Sequence, residues 1–216
     1  MLATLQPERS ALLLIDMQRD FCAPGGYADQ AGLDIQRLRA PIAAQQALLA
    51  AARASEMLVV HTREGHRTDL SDLPAWKRLR AERSGAPIGV LGPLGRLLVR
   101  GEYGHDLIDE LQPKTGEPVI DKPGYCAFAA TDLELILRTR GIDTLIITGV
   151  TTEVCVSSTL RSAIDRGFNC LTVRDACGSA YVDLHEAALA MIDVEGGVFG
   201  ECCDSAALLK YLQEAA

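Results

Sequence analysis

The chain has 216 residues, 48% hydrophobic and 23% charged, with a formal net charge of −8. This is the composition of a globular protein with a sizeable core, and one domain spanning 1–216 is expected. The negative charge argues against nucleic acid as a partner, and no apolar run of roughly 18 residues is present to cross a membrane.

The first ten residues carry neither the basic segment nor the apolar stretch of a secretory signal, and the seven cysteines include no C-x-x-C pair. A reducing cytoplasm is therefore the expected compartment. Ala11–Ile15 (A-L-L-L-I) reads as a strand covered on both faces, ending at Asp16. Residues 22–34 are glycine-rich and polar, a loop. Ile35–Ser55 shows helical spacing and many alanines. Met57–Val60 supplies a second strand, followed from His61 by the polar stretch H-T-R-E-G-H-R-T-D-L-S-D-L-P. Within it, Glu64 and His66 are spaced like metal ligands, but no third or fourth ligand follows and no metal is expected.

Trp76–Arg83 predicts a short helix whose charges face solvent, and Pro87–Gly95 carries turn chemistry without the pattern of a phosphate loop. Pro118–Asp121 reads as a strand followed by Lys122. Thr131 and Glu134 have the spacing of a capping box for a helix ended by Gly141. Thr144–Thr148 is the next strand. It runs into G-V-T-T-E-V-C-V, residues 149–156, and then into an amphipathic helix capped at Gly167. Cys170–Val173 is a strand, 174–179 a loop, Asp183–Val194 a helix, Val198–Phe199 a short last strand and Ser205–Gln213 a closing helix.

Strands alternating with helices predict a three-layer α/β fold with a parallel sheet. Asp16, His61, Lys122 and Cys155 then all follow strand C-termini, where open parallel sheets place their ligands. Taken alone, Cys155 reads as a packed small hydrophobe and Asp16 as a solvated or capping acid. Taken together, the three reactive types suit amide hydrolysis. The thiol in the first turn of a helix is the nucleophile, and Asp16 carries the proton to the departing nitrogen. Lys122 lowers both pKa values by Coulomb attraction, and backbone N–H groups at Thr151 and Cys155 hold the oxyanion. No G-x-S-x-G elbow is present as a competing nucleophile.

Asp16 in L-I-D-M-Q-R-D-F, Lys122 in D-K-P and Cys155 in T-G-V-T-T-E-V-C-V resemble the Asp–Lys–Cys triad of the isochorismatase-like cysteine hydrolases. The resemblance covers about residues 8–213, in the family's order. It implies an open six-stranded parallel sheet, a cis peptide at Val150–Thr151, no cofactor, and a homo-oligomer, often a tetramer. Within the family, H-T-R-E-G-H-R-T-D-L-S-D-L-P, D-K-P-G and G-G-V-F-G resemble the biuret-, triuret- and ureidoacrylate-cleaving members. The implied partner is a small ureide. Gln18, Phe21, His61, Arg63, Tyr125 and Glu195 are the substrate-binding candidates, with a structural role equally open for His61 and for His66. Glu195 stands where biuret hydrolases carry Gln, which favours a longer, N–H-rich ureide such as triuret. Cys126 is a candidate for the pocket wall, and the other cysteines read as packing.

Overall fold

The computed structural model describes residues 2–215. Eight strands form in chain order: β1 (Ser10–Ile15), β2 (Leu58–Glu64), β3 (Leu91–Gly92), β4 (Gly95–Arg96), β5 (Val119–Lys122), β6 (Thr144–Val150), β7 (Asn169–Gly178) and β8 (Glu201–Cys203). The helices are α1 (Arg19–Cys22), α2 (Tyr27–Gln30), α3 (Ile35–Arg39), α4 (Ile42–Ala54), α5 (Ala75–Arg83), α6 (Leu133–Thr139), α7 (Ser157–Asp165), α8 (Val182–Ala190) and α9 (Ser205–Ala215). Strands β3 and β4 make a small antiparallel hairpin in the glycine-proline stretch whose composition predicts turns alone.

The other six strands form one sheet in the order β5-β2-β1-β6-β7-β8, every pair parallel. Strand β1 is buried along its whole length. Alternation along it sends Leu12 and Leu14 into one core, with Leu38 of α3, Leu48 of α4 and Leu208 of α9. Ala11, Leu13 and Ile15 enter the other core, with Leu137 of α6, Leu160 of α7 and Leu189 of α8. Helices thus cover both faces, the arrangement expected for a parallel sheet.

The chain leaves β1 for β2 and β5 on one side, then returns across it to build β6, β7 and β8 on the other. The C-terminal ends of β1 and β6 therefore flank the point where the winding reverses, and a crevice opens there. Gly149 permits the two strands to close up at this point. Its φ is +121°, and a Cβ on it would lie 2.2 Å from the Ile15 carbonyl oxygen.

Several local expectations are corrected. The single helix over 35–55 is two, because Pro41 has no N–H to continue the first; Asp34 caps α3 by accepting from Gln36 N and Arg37 N. The capping box at Thr131 does not form: Thr131 Oγ1 donates to the Ala127 carbonyl, and Glu134 pairs with Arg166 and Arg138. Strand β2 continues four residues past Val60, taking in His61 to Glu64. Strand β7 likewise runs to Gly178, through all but the last residue of the loop expected at 174–179, bulging against β6 between the pairs Ile147–Thr172 and Gly149–Cys177. The last strand forms at Glu201–Cys203 instead of Val198–Phe199.

Candidate active site

Asp16 follows β1 in a left-handed backbone conformation, φ +53°, and is fully buried. Its turn is held by β2: Asp16 N donates to Thr62, and Thr62 Oγ1 donates to Asp16 Oδ1 at 2.6 Å. Lys122, the last residue of β5, places Nζ 2.7 Å from Asp16 Oδ2, a close ion pair not aligned as a hydrogen bond, while donating to Gly124 O at 2.9 Å. Cys155 sits on one π-helical turn, Thr152–Val156, wound between β6 and α7. Such turns recur at functional sites because they re-aim side chains. The Val150–Thr151 peptide entering it is cis.

One member of this cluster is not among the catalytic residues expected from the sequence. Glu64, the last residue of β2, is 3% exposed and reaches the thiol: Cys155 Sγ donates to its Oε2 at 3.5 Å. Its other oxygen accepts from Lys77 Nζ at 2.6 Å, and Lys122 Nζ stands 3.9 Å from Oε2. Lys77, on a helix read as solvated, is 1% exposed and also donates to Pro123 O. Two buried carboxylates thus face two buried ammonium groups around one thiol. Asp16, Glu64 and Cys155 offer atoms within 4.8 Å of one another, but a metal cation there would meet both lysines at Coulombic cost.

Burial dominates the electrostatics. It raises the Cys155 thiol well above its ordinary value, and although Lys122 opposes this, the Asp16 and Glu64 carboxylates reinforce it. Burial also raises Asp16 against the attraction of Lys122. Burial disfavours charge on Glu64 too, yet Lys77 and Lys122 together hold its carboxyl below the usual range. For Lys122, burial is outweighed by Asp16, Cys155 and Glu64, and its ammonium is held above the ordinary lysine value. The expected lowering of Asp16 and Cys155 by Lys122 is therefore corrected. Desolvation of Asp16 and of Cys155 exceeds what Lys122 returns to each, leaving a neutral thiol beside a carboxylate of increased basicity.

A cavity of about 180 Å³ lies over the thiol, walled by Phe21, Tyr125, Thr151, Glu64 and Arg80 among others. That is smaller than the roughly 300–1,000 Å³ of drug-sized sites and suits a ligand of few atoms. Of the substrate-binding candidates, Phe21 and Tyr125 line it. Gln18 does not: its amide donates to Glu64 O and His105 O and accepts from Glu64 N, clamping the end of β2. Arg63 pairs with Asp121 and Asp106. Glu195 is exposed on the turn Val194–Gly196 and outside the cavity wall. Cys126 is outside it too, its sulfur accepting from Phe128 N. His66 contacts Asp72.

His61, mid-strand and fully buried, faces Glu117 at 3.3 Å, and Arg53 Nε donates to that carboxylate at 2.7 Å. Although burial opposes it, hydrogen bonds from Arg53 and Lys114 N hold Glu117 down to about 2. A depressed carboxyl contributes stability above its unfolded pKa that is lost as pH falls through the folded value. Glu117→Gln is expected to cost on the order of 1 kcal/mol at pH 7, after discounting for solvent screening. The difference from wild type should vanish between about pH 4.5 and 2, read by urea unfolding across that window.

A thiol, an acid and a lysine gathered at the switch point of a parallel α/β sheet define a class of protein, and comparison narrows it. Residues 10–207 match the model of the Isochorismatase domain, and the chain belongs to the isochorismatase-like cysteine hydrolase family. A cysteine hydrolase from Pseudomonas syringae pv. phaseolicola is 28% identical, over 98% of this chain and 96% of that one, with a TM-score of 0.82. An isochorismatase family protein from Desulfovibrio vulgaris is 29% identical over 95% and 98%, with a TM-score of 0.77. N-carbamoylsarcosine amidase from Thermoplasma acidophilum, 22% identical over 91% and 96% with a TM-score of 0.69, shares the fold. Among the described residues, no helix is long and apolar enough to cross a membrane.

Proposed function

We propose that the chain is an amidohydrolase that cleaves the terminal carbamoyl C–N bond of a small ureide of biuret or triuret type. The observation that carries this reading is the convergence of Cys155, Asp16 and Lys122 beneath a cavity of few-atom size. Asp16 takes the thiol proton as Sγ attacks the carbamoyl carbon, and the oxyanion is received by the backbone N–H groups of Thr151 and Cys155. The proton passes to the departing nitrogen, ammonia leaves, and a thioester remains. Water then adds to the thioester with Asp16 as base, releasing a carbamate product such as allophanate and restoring the thiol. Lys122 keeps the Asp16 carboxylate placed and partly neutralised throughout.

A second reading, an N-carbamoyl carboxylate as substrate, has one observation in its favour: Arg80 lines the cavity. Ammonia release from biuret, triuret and N-carbamoylglycine by wild type and Cys155→Ala tests the chemistry. Wild type is expected to release ammonia from at least one of the three and Cys155→Ala from none. Equal release by the two proteins on every compound would leave a silent, binding member of the fold as the better account.

A further inference from the structure

Thr152 opens the π-helical turn that carries Cys155, and it directly follows Thr151, whose N–H receives the oxyanion in the proposed reaction. The Thr151 carbonyl is held by the turn itself, accepting from Val154 N and Val156 N. The Thr152 side chain is held from outside the turn. It is 2% exposed, and its Oγ1 lies 2.8 Å from Nδ1 of His185 on α8. Neither residue has a part in the chemical step. The chain has four histidines, and three of them stand against a carboxylate: His61 against Glu117, His66 against Asp72 and His105 against Asp121. Among the described residues His185 pairs with no carboxylate and meets a hydroxyl instead.

The face of α8 that carries His185 is turned toward the site along its length. Tyr181, the N-cap residue, lines the catalytic cavity with Thr151. His185, four residues on, meets Thr152, and Leu189, four further, enters the core that holds Cys155 and Val156. Apolar packing is non-directional, whereas a hydrogen bond fixes the orientation of the residue that makes it. We propose that His185 is a positioning residue for the oxyanion hole. By fixing Thr152 it aims the Thr151 N–H just before it and the Cys155 N–H one turn after it. Such donors stabilise an oxyanion only when they are already aimed at it, so a loosened turn costs rate without costing substrate affinity. That the assisted step is carbamoyl cleavage rests on the function proposed above; the assistance to addition at Sγ does not.

His185→Asn sets an amide near the place of Nδ1 and keeps a partner for the hydroxyl, His185→Gln sets it near Nε2, and His185→Leu offers none. On the ureide that wild type cleaves, the leucine and glutamine variants are expected to lose about tenfold in kcat with KM within about twofold, and His185→Asn to stay within about threefold of wild type. Thr152→Val removes the other end of the bond. It should cost as much, add nothing when combined with His185→Leu, and cover the case in which the leucine variant fails to fold. Acetaldehyde labelled with ¹³C at its carbonyl reads the same hole without any assignment of substrate. The Cys155 thiol adds across the C=O: the sulfur–carbon bond forms, the π pair moves to oxygen, and that oxygen takes the proton. By ¹³C NMR, with Cys155→Ala as the blank, the adduct should weaken about tenfold in His185→Leu and recover in His185→Asn. Positioning is overturned if the folded leucine and valine variants keep both kcat and adduct affinity within about twofold of wild type. It is equally overturned if the loss falls wholly in KM, if the asparagine variant does no better than the leucine one, or if wild type forms no adduct. An adduct that follows the expected pattern, without ammonia release from any ureide, would sink the ureide reading and leave the positioning role standing.

Discussion

Asp16→Asn is expected to reduce kcat for ammonia release by about 10³-fold while changing KM little, because general acid–base catalysis contributes roughly 10²–10⁴-fold. The substitution is nearly isosteric and keeps an oxygen for the Thr62 hydroxyl, which now bonds Oδ1 at 2.6 Å. What it removes is proton capacity. With burial raising both Asp16 and Cys155, the resting thiol holds its proton, and attack requires a base in place to accept it. Steady-state ammonia release, with circular dichroism as the folding control, reads the effect. One competing acceptor is already at hand, since Glu64 Oε2 accepts from Sγ at 3.5 Å. Glu64 is paired with Lys77 and held more acidic than usual, which makes it the poorer base. A loss under about tenfold in Asp16→Asn, with a larger loss in Glu64→Gln, would move the base to Glu64.

Lys122→Met is expected to be the most destabilising single change in the site, about 3–5 kcal/mol at pH 7. Its Nζ is fully buried, 2.7 Å from Asp16 and 3.9 Å from Glu64, and its removal leaves Asp16 without a counter-ion. The sign of the pH dependence is fixed by Asp16. Its folded pKa already lies above the unfolded value, so its contribution is most favourable below the unfolded pKa and is lost as pH rises through the folded one. Losing Lys122 raises that folded value further. The deficit of Lys122→Met should therefore shrink as pH falls from 7 toward 5, by urea unfolding at each pH. Adding Asp16→Asn should recover part of it at pH 7, since the two residues are in contact and their effects are coupled. Additive losses would mean that the pair does not act as a unit.

The layered fold and the placement of Asp16, Lys122 and Cys155 at strand ends were legible in the sequence because each depends on local signals. Buried parallel strands write themselves as runs such as A-L-L-L-I, and a reactive side chain directly after such a run lands on the sheet edge wherever the strand sits. Glu64 was visible only as a possible metal ligand. Reading β2 as ending at Val60 hid the alternation that puts Thr62 and Glu64 on the face toward Asp16 and Cys155, and His61 and Arg63 on the other. Lys77 and Arg80 carried a faint signal, three apart on a helix whose Ala81 is buried, yet W-K-R-L-R-A-E-R has the composition of a solvated surface.

The residues expected to touch substrate fared unevenly, for a related reason. Phe21 and Tyr125 follow closely on Asp16 and Lys122 and reach the cavity with them. Gln18, Arg63 and His61 are near the site in sequence, but their polar groups are taken by backbone carbonyls and carboxylates that come from distant segments.

By itself, then, the sequence determined the order of strands and helices, the thiol, acid and lysine at strand ends, and the family they resemble, because these follow from periodicity and short motifs. The tertiary structure alone decided the thiol's electrostatics. It brought Glu64 and Lys77 into the cluster and raised Asp16 and Cys155 by burial, and pairings across 13 to 91 residues of chain leave no trace in local pattern. It also decided which polar atoms remain without a partner, since that depends on every neighbour in space.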